Sequence, residues 1–409
     1  MHFLYNLAIN LYGGSIWIAS FFNLKAQKWI KGRKDFFKNL PELPDKEIYW
    51  FHCASLGEFD MGLPVMRELK RRNPDCYLVV TFFSPSGFDH YNKRDHQVDL
   101  ALHLPLDTKR NAVKFLDYLK PSKAFFVKYE FWINYLLISK QKGTKLYSIC
   151  TILRQNQRFF KWYGSFFRNS LRLFDHFYVQ DNQTHQLLNS IGIAHCSICG
   201  DTRFDQVLTT KIKNHNNPRI EQFLEGKKAF IIGSSWEIDE KLLFNFIKKN
   251  RVEPLIIAPH NISEENIVRI ERSFEGMTQR YTEPNQSDKN ILIINTIGHL
   301  SSAYKYASIA YVGGGFTGKL HNILEPAVYG LPILFGPRYH RFPEAEQFIS
   351  SGIAFSIDDE QSLTLVYNRI ISQLDEINAK ALSLVSAQSG AAAKIVNHLE
   401  ENNLSFPVQ

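Results

Sequence analysis

At 409 residues, with 44% hydrophobic and 22% charged side chains, the chain is long enough for two domains and has the composition of a globular protein. A formal net charge of +8 points to acidic partners such as anionic lipid, nucleotide, acidic sugar or nucleic acid. The cysteine set of five, odd and sparse, excludes a disulfide scaffold and fits a reducing compartment.

Residues 3–24 carry no charged side chain and include Leu4, Leu7, Leu11, Ile16, Trp17, Phe21 and Phe22. Lys25, Lys28, Lys31, Arg33, Lys34 and Lys38 follow, against the single acid Asp35. About 20 apolar residues span a bilayer core, and a basic flank keeps the domain behind it cytoplasmic. Asn6, Asn10, Gly13, Gly14 and Ser15 dilute the hydropathy, so the expectation over residues 1–40 is a membrane-associated helix, spanning or in the plane. A core helix of the first domain is the competing reading. No small-residue cleavage site follows, so a secretory signal is not expected.

Pro41–Asp45 reads as a linker, Glu47–Ala54 as a strand, and Ser55-Leu-Gly-Glu58 as a glycine turn before a helix from Phe59 to Arg72. Strands are expected at Tyr77–Phe83, Ala124–Val127, Lys145–Cys150, His176–Gln180 and Ala194–Cys199, with helices at Thr108–Leu119 and Phe131–Lys142. Residues 154–174 mix basic and aromatic side chains at helical spacing, which suits a helix against a membrane or a plain amphipathic helix. Thr209–Pro218 reads as a linker, and a second alternation begins with strands at Ala229–Ser235, Pro254–Pro259, Ile291–Ile294, Ile309–Val312 and Pro332–Phe335. Such alternation implies parallel sheets covered on both faces. The expected architecture is α/β, two Rossmann-like domains facing a cleft: residues 41–208, residues 209–385, and a C-terminal helix at 386–409 packing back on the first domain.

The chemistry-bearing residues sit at strand ends. Glu58 and Glu130 each follow an apolar strand, where a carboxylate takes a proton from an attacking hydroxyl or simply faces a helix dipole. Arg203, in Gly200–Asp205, can offset a departing phosphate or form a salt bridge. In the second half, Pro259-His260, Gly298-His299-Leu300 and Asn322-Ile-Leu-Glu325 take equivalent places. Gly313-Gly-Gly315 suggests room for a ligand to approach the backbone, with a helix from about Asn322 whose free N–H groups attract phosphate. Cys196-Ser-Ile-Cys199 lacks the second pair of a metal knuckle and reads as a buried strand. No Asp-X-Asp or G-x-x-x-x-G-K-[ST] motif is present, and no metal and no dinucleotide or NTP cofactor is expected.

Taken in order, Ala54-Ser-Leu-Gly-Glu58, Thr81–Gly87, Lys128-Tyr-Glu-Phe-Trp-Ile-Asn134, Gly200–Asp205, Pro259-His260, Gly298–Leu300, His321-Asn-Ile-Leu-Glu-Pro326 and Phe335-Gly-Pro337 resemble the Kdo transferases of lipopolysaccharide biosynthesis. The resemblance implies a GT-B fold and an inverting, membrane-bound enzyme on the cytoplasmic side of the inner membrane. It would move 3-deoxy-D-manno-octulosonic acid (Kdo) from CMP-Kdo to the lipid A precursor lipid IVA. It implies Glu58 as general base, Glu130 and Arg203 as transition-state groups, and Pro259, His260, Gly298, His299, Leu300, Asn322, Ile323, Leu324 and Glu325 as CMP contacts, with no metal and no nucleic-acid partner. Arg203 stands where the family usually has Lys, His260 where it has Arg, Lys319-Leu320 in place of a glycine pair, and Ile133 in place of Pro. Another GT-B enzyme, a UDP-sugar transferase or epimerase, is the nearer alternative, and a non-catalytic basic membrane-binding protein the further one.

Overall fold

The computed structural model describes residues 1–213, 216–250, 252 and 254–404. It divides into two units, Met1–Gln206 joined by the stretch from Ser389, and Val207–Gln388.

The strands of the first unit are β1 (Ile48–Cys53), β2 (Tyr77–Phe82), β3 (Leu100–His103), β4 (Lys123–Val127), β5 (Lys145–Thr151), β6 (His176–Val179) and β7 (Cys196–Ile198). They form a parallel sheet in the order β3-β2-β1-β4-β5-β6-β7. β1 is buried along its whole length, as an apolar run in a sheet covered on both faces must be. Phe51 pairs in register with Phe125, and their rings stack at 4.5 Å. Burying one such ring contributes roughly 1.5–3 kcal/mol.

The second unit repeats the plan with β8 (Ala229–Ser235), β9 (Leu255–Pro259), β10 (Thr278–Arg280), β11 (Ile291–Ile293), β12 (Ala307–Val312), β13 (Ile333–Phe335) and β14 (Ala354–Ser356). Their order is β10-β11-β9-β8-β12-β13-β14, again parallel. In both sheets connections leave in opposite directions from two adjacent strands, β1 and β4 in the first, β8 and β12 in the second. Neighbouring loops diverge there and open a crevice at the carboxyl ends, where α/β folds bind ligands.

The N-terminal residues form α1 (His2–Ala19) and α2 (Leu24–Arg33), the latter capped by Asn23, whose side chain accepts from the N–H groups of Lys25 and Ala26. The pair is bent by 119°, and among the described residues no single helix is long and apolar enough to cross a membrane. Of the two forms expected, spanning or in the plane, a single straight span is not what these residues form; they form an elbow. The elbow is tied to the body at both ends. Tyr5 donates its hydroxyl to Asp107 at 2.5 Å, and Arg33 donates to the carbonyls of Leu104 and Phe83 at 2.7 and 2.8 Å. Asp107 also accepts from the N–H groups of Asn134 and Tyr135, at the start of the helix Ile133–Gln141. Burial pushes its carboxyl up to about 7, against the pull of those three donors.

Two further expectations change. The basic aromatic stretch is not one helix: a turn at Arg158–Phe160 and a helix at Ser165–Leu171 are separated at Gly164, whose Cβ position lies 2.0 Å from the Arg158 carbonyl. The first part of the linker, Thr209–Lys213, is helical, in Thr202–Lys213; Asn214 and His215 lie outside the described residues. The C-terminal stretch is the helix Ala391–Leu404, preceded by Leu374–Gln388. Ala392, Ile395, Val396 and Leu399 join the first unit's core with Met66 and Leu69.

Candidate active site

β1 ends at Cys53, and α3 (Leu56–Arg72) begins three residues later with Ser55 as its cap. Ser55 and Glu58 form a capping box, so the local sequence places Glu58 in the helix's first turn rather than just before it. Glu58 Oε2 accepts from the N–H groups of Ala54 at 2.5 Å and Ser55 at 3.2 Å. Glu58 is 8% exposed, and among the described residues its Oε1 has no hydrogen-bond partner. One oxygen is thus held and the other is open. Burial raises the Glu58 pKa, opposed by the Ala54 N–H, Lys128 and the Ser55 N–H.

Glu130 follows β4, the neighbour of β1 at the switch point. Burial and then the Glu58 charge raise its carboxyl to about 7, against the Trp132 hydrogen bond and Lys128. The structure therefore brings the two acids into one electrostatic site. Lys128, missed as a site residue, lies between strand and acid in the left-handed backbone region at φ 64. For a lysine this costs about 1 kcal/mol, a strain more common at functional sites than elsewhere.

A buried chain fixes Trp132. Its indole N–H donates to His52 Nε2 at 3.0 Å and to Glu130 Oε2 at 3.1 Å. His52 is fully buried and held down to about 3 by burial, so it is neutral. Accepting at Nε2 leaves its proton on Nδ1, which donates to Thr81 Oγ1 at 2.9 Å. Trp50 Nε1 donates to the same oxygen at 2.9 Å, and the Thr81 hydroxyl points to the Phe51 carbonyl. One tautomer satisfies every group. The sequence signal for this chain was only a polar His inside an apolar strand.

Arg203 opens the helix Thr202–Lys213 and pairs with Asp201, Nη2 to Oδ2 at 2.6 Å. Its charge and that of Lys128 both act on the buried Cys150 thiol, which places the two cations in one neighbourhood.

In the second unit, His260 follows Pro259 at the end of β9 and stacks on Trp236 at 4.1 Å, with the His321 ring 4.8 Å away. Trp236, which the sequence did not single out, also donates to His321 Nε2 at 3.4 Å. Buried Asp239 accepts from the Trp236 N–H, the Tyr311 hydroxyl and the Gly314 N–H, which ties the ends of β8 and β12 together. Leu300 and Tyr304 close on Gly233, while His299 packs on Tyr281 with ring centroids 4.5 Å apart; Gly298 has φ 98. Glu325 bears on buried Tyr304 and accepts from Asn322 Nδ2 at 3.1 Å.

Two readings of this loop are corrected. The glycines are filled by the chain itself: a Cβ on Gly313 would lie 2.1 Å from the Ser234 carbonyl, and one on Gly315 2.4 Å from the Gly336 N–H nitrogen. They serve backbone packing instead of ligand approach. The helix near Asn322 is the single turn Leu324–Ala327, its Leu324 N–H already taken by the Asn322 side chain, so it presents no row of free donors. Pro259, Ile323 and Leu324 are buried, which leaves His260, His299, Leu300, Asn322 and Glu325 as the side chains with exposed surface. Among the described residues no group of three or more His, Cys, Asp or Glu is placed to hold a metal.

Residues 29–206 match the family model described as 3-deoxy-D-manno-octulosonic-acid transferase (kdotransferase). The 3-deoxy-D-manno-octulosonic acid transferase of Aquifex aeolicus is 25% identical over 346 residues, covering 83% of this chain and 90% of its own. That of Chlamydophila psittaci is 25% identical over 334 residues, 78% of this chain and 76% of its own. Among solved structures, the UDP-GlcNAc 2-epimerase of Neisseria meningitidis superposes with a TM-score of 0.62 at 16% identity, over 87% of this chain and 100% of that one. That likeness speaks for the fold alone, which is GT-B. Over residues 29–206 the chain is similar to the Kdo transferase family, and it is similar at about 25% identity to curated Kdo transferases over most of its length.

Proposed function

We propose that the protein transfers Kdo from CMP-Kdo to a lipid A precursor, lipid IVA, with inversion, at the cytoplasmic face of the inner membrane. The observation that carries the reading is the half-held carboxylate of Glu58 at the switch point, coupled to Glu130, in a chain similar to this family.

Glu58 Oε1 takes the proton from the acceptor hydroxyl as that oxygen attacks the anomeric carbon, and the bond from that carbon to the CMP phosphate breaks. The Ala54 and Ser55 amides hold Oε2, so no reorientation is needed in the step. Glu130 and Lys128 set the field around the base. Arg203 offsets charge on the departing CMP phosphate. The second unit holds CMP-Kdo through His260, His299, Asn322 and Glu325, the last accepting from ribose hydroxyls, while Pro259, Gly298, Leu300, Ile323 and Leu324 shape the backbone there.

The membrane is met by the elbow. Phe3, Leu7, Leu11, Trp17, Phe21 and Phe22 are exposed on and just after α1, and α2 carries Lys25, Lys28 and Lys31. An exposed apolar stripe beside clustered lysines suits an in-plane association with anionic lipid.

The test is incubation of purified protein with CMP-Kdo generated in situ and tetraacyl lipid A precursor, followed by mass spectrometry of the lipid. Addition of Kdo masses supports the reading. CMP binding without transfer shifts the acceptor, and competition by UDP instead of CMP moves the protein to another nucleotide-sugar chemistry.

A further inference from the structure

Within the first unit, α1, the approach to the helix Ile133–Gln141 and the segment Gln157–Ser170 enclose a cavity of about 510 Å³. Tyr5, Ile9, Phe131, Trp132, Phe159 and Phe167 contribute its aromatic and apolar walls. Its polar lining includes Glu130, Gln157 and Arg158. The Arg158 guanidinium lies 4.6 Å from the Phe167 ring centroid and, among the described residues, has no hydrogen bond or ion pair. Gln157 accepts through Oε1 from the Arg154 N–H at 3.1 Å, while its amino group has no acceptor among the described residues. A cavity beside a site carboxyl therefore presents a stacked guanidinium and a carboxamide, both with donors to spare.

We propose that this cavity is an acceptor subsite in which Arg158 and Gln157 hold a phosphate ester on the sugar headgroup of the lipid. It rests on the transferase reading above. A guanidinium fork matches two phosphate oxygens at once, and its stacking on Phe167 limits the orientations it loses on binding. The volume suits a headgroup and is too small for several acyl chains. Tyr5 and Ile9, one helical turn apart, face the cavity, while Leu4, Leu7 and Leu11 of the same helix are 58%, 46% and 66% exposed. A lipid whose chains lie along the outer stripe of α1 thus reaches, with its headgroup, the cavity that the inner stripe lines. Glu130, which lines the same cavity, then meets the headgroup sugar.

The test uses the full chain as wild type, Arg158→Gln and Arg158→Lys. The probes are tetraacyl lipid A precursor bearing its phosphates and the same lipid dephosphorylated, both in detergent. Equilibrium binding is read first, then transfer kinetics. The expected result is about tenfold to hundredfold tighter binding of the phosphorylated lipid by wild type. Arg158→Gln removes that preference and raises the acceptor KM, with kcat and donor KM unchanged, and Arg158→Lys restores part of it. Equal discrimination by wild type and Arg158→Gln, or none by wild type, overturns the proposal. Vesicles of phosphatidylglycerol separate the sources: equal weakening of vesicle binding in Arg158→Gln assigns Arg158 to the membrane surface and also overturns it. Inorganic phosphate should displace the phosphorylated lipid from wild type only. Because binding is read independently of turnover, absence of Kdo transfer with the preference intact removes the transferase reading and leaves the subsite.

Discussion

The charge of Glu58 is the second contribution, after burial, that holds the Glu130 carboxyl at about 7. The two acids follow adjacent strands, β1 and β4, and Lys128 pulls both in the opposite direction. The division of labour is set by what holds each one. Glu58 is gripped by two backbone amides and keeps an open oxygen, whereas Glu130 accepts from the Trp132 indole.

Replacing Glu58 by Gln removes the base but leaves an oxygen for the same two amides. Turnover should fall about hundredfold to ten-thousandfold, with CMP binding retained. Steady-state rates alongside CMP titration check this, and near-normal turnover would remove Glu58 from the role of base.

The same substitution deletes a negative charge that raises Glu130. The Glu130 carboxyl should therefore titrate below its value of about 7 in Glu58→Gln, by NMR of labelled glutamate side chains. An unchanged midpoint would show that burial alone sets it.

Lys128→Gly tests strain against function. Glycine takes φ 64 freely, so stability to urea should hold or rise by up to about 1 kcal/mol. Loss of the cation should raise both carboxyl pKa values and move the acid limb of the rate profile to higher pH. A profile that does not move would make Lys128 a bystander.

Gly313→Ala and Gly57→Ala form a pair. The first puts a methyl 2.1 Å from the Ser234 carbonyl, and the second meets nothing within 4 Å. Urea unfolding should show a loss of at least about 3 kcal/mol for Gly313→Ala and a change within about 1 kcal/mol for Gly57→Ala. Similar results for both would mean that the loop at Gly313 yields easily.

Asp107 should make stability depend on pH. Its folded pKa of about 7 stands above the unfolded value near 3.9, so its contribution is complete below about pH 3.9 and is lost as pH rises through 7. Between pH 5 and pH 8, Asp107→Asn should gain on wild type by roughly 2.5 kcal/mol in urea unfolding. A difference flat with pH would mean that the Tyr5 contact keeps the carboxyl in its ordinary range.

Much of the framework is legible in local sequence. The interior strands are apolar runs ended by glycine, proline or a cap, and their ends put Glu58, Glu130 and His260 at the carboxyl edges. The strands that sequence missed, Leu100–His103, Thr278–Arg280 and Ala354–Ser356, are three or four residues long and outermost or next to an exposed edge, where the apolar signal is weak. The Arg158–Leu171 stretch has helical spacing but lacks room for a continuous helix, because Gly164 lies against the Arg158 carbonyl.

The sequence by itself determined two parallel-sheet units and the acids at their strand ends, since apolar period and caps act between residues a few positions apart. Only the tertiary structure decided that Glu58 and Glu130 share a field and that Trp132 reaches back to His52. It also decided that Trp236, His260 and His321 stack, and that the Gly313 loop is packed by its own backbone. Those relations join residues far apart in the chain, and Coulomb terms, burial and hydrogen bonds depend on separations in space that local patterning does not encode.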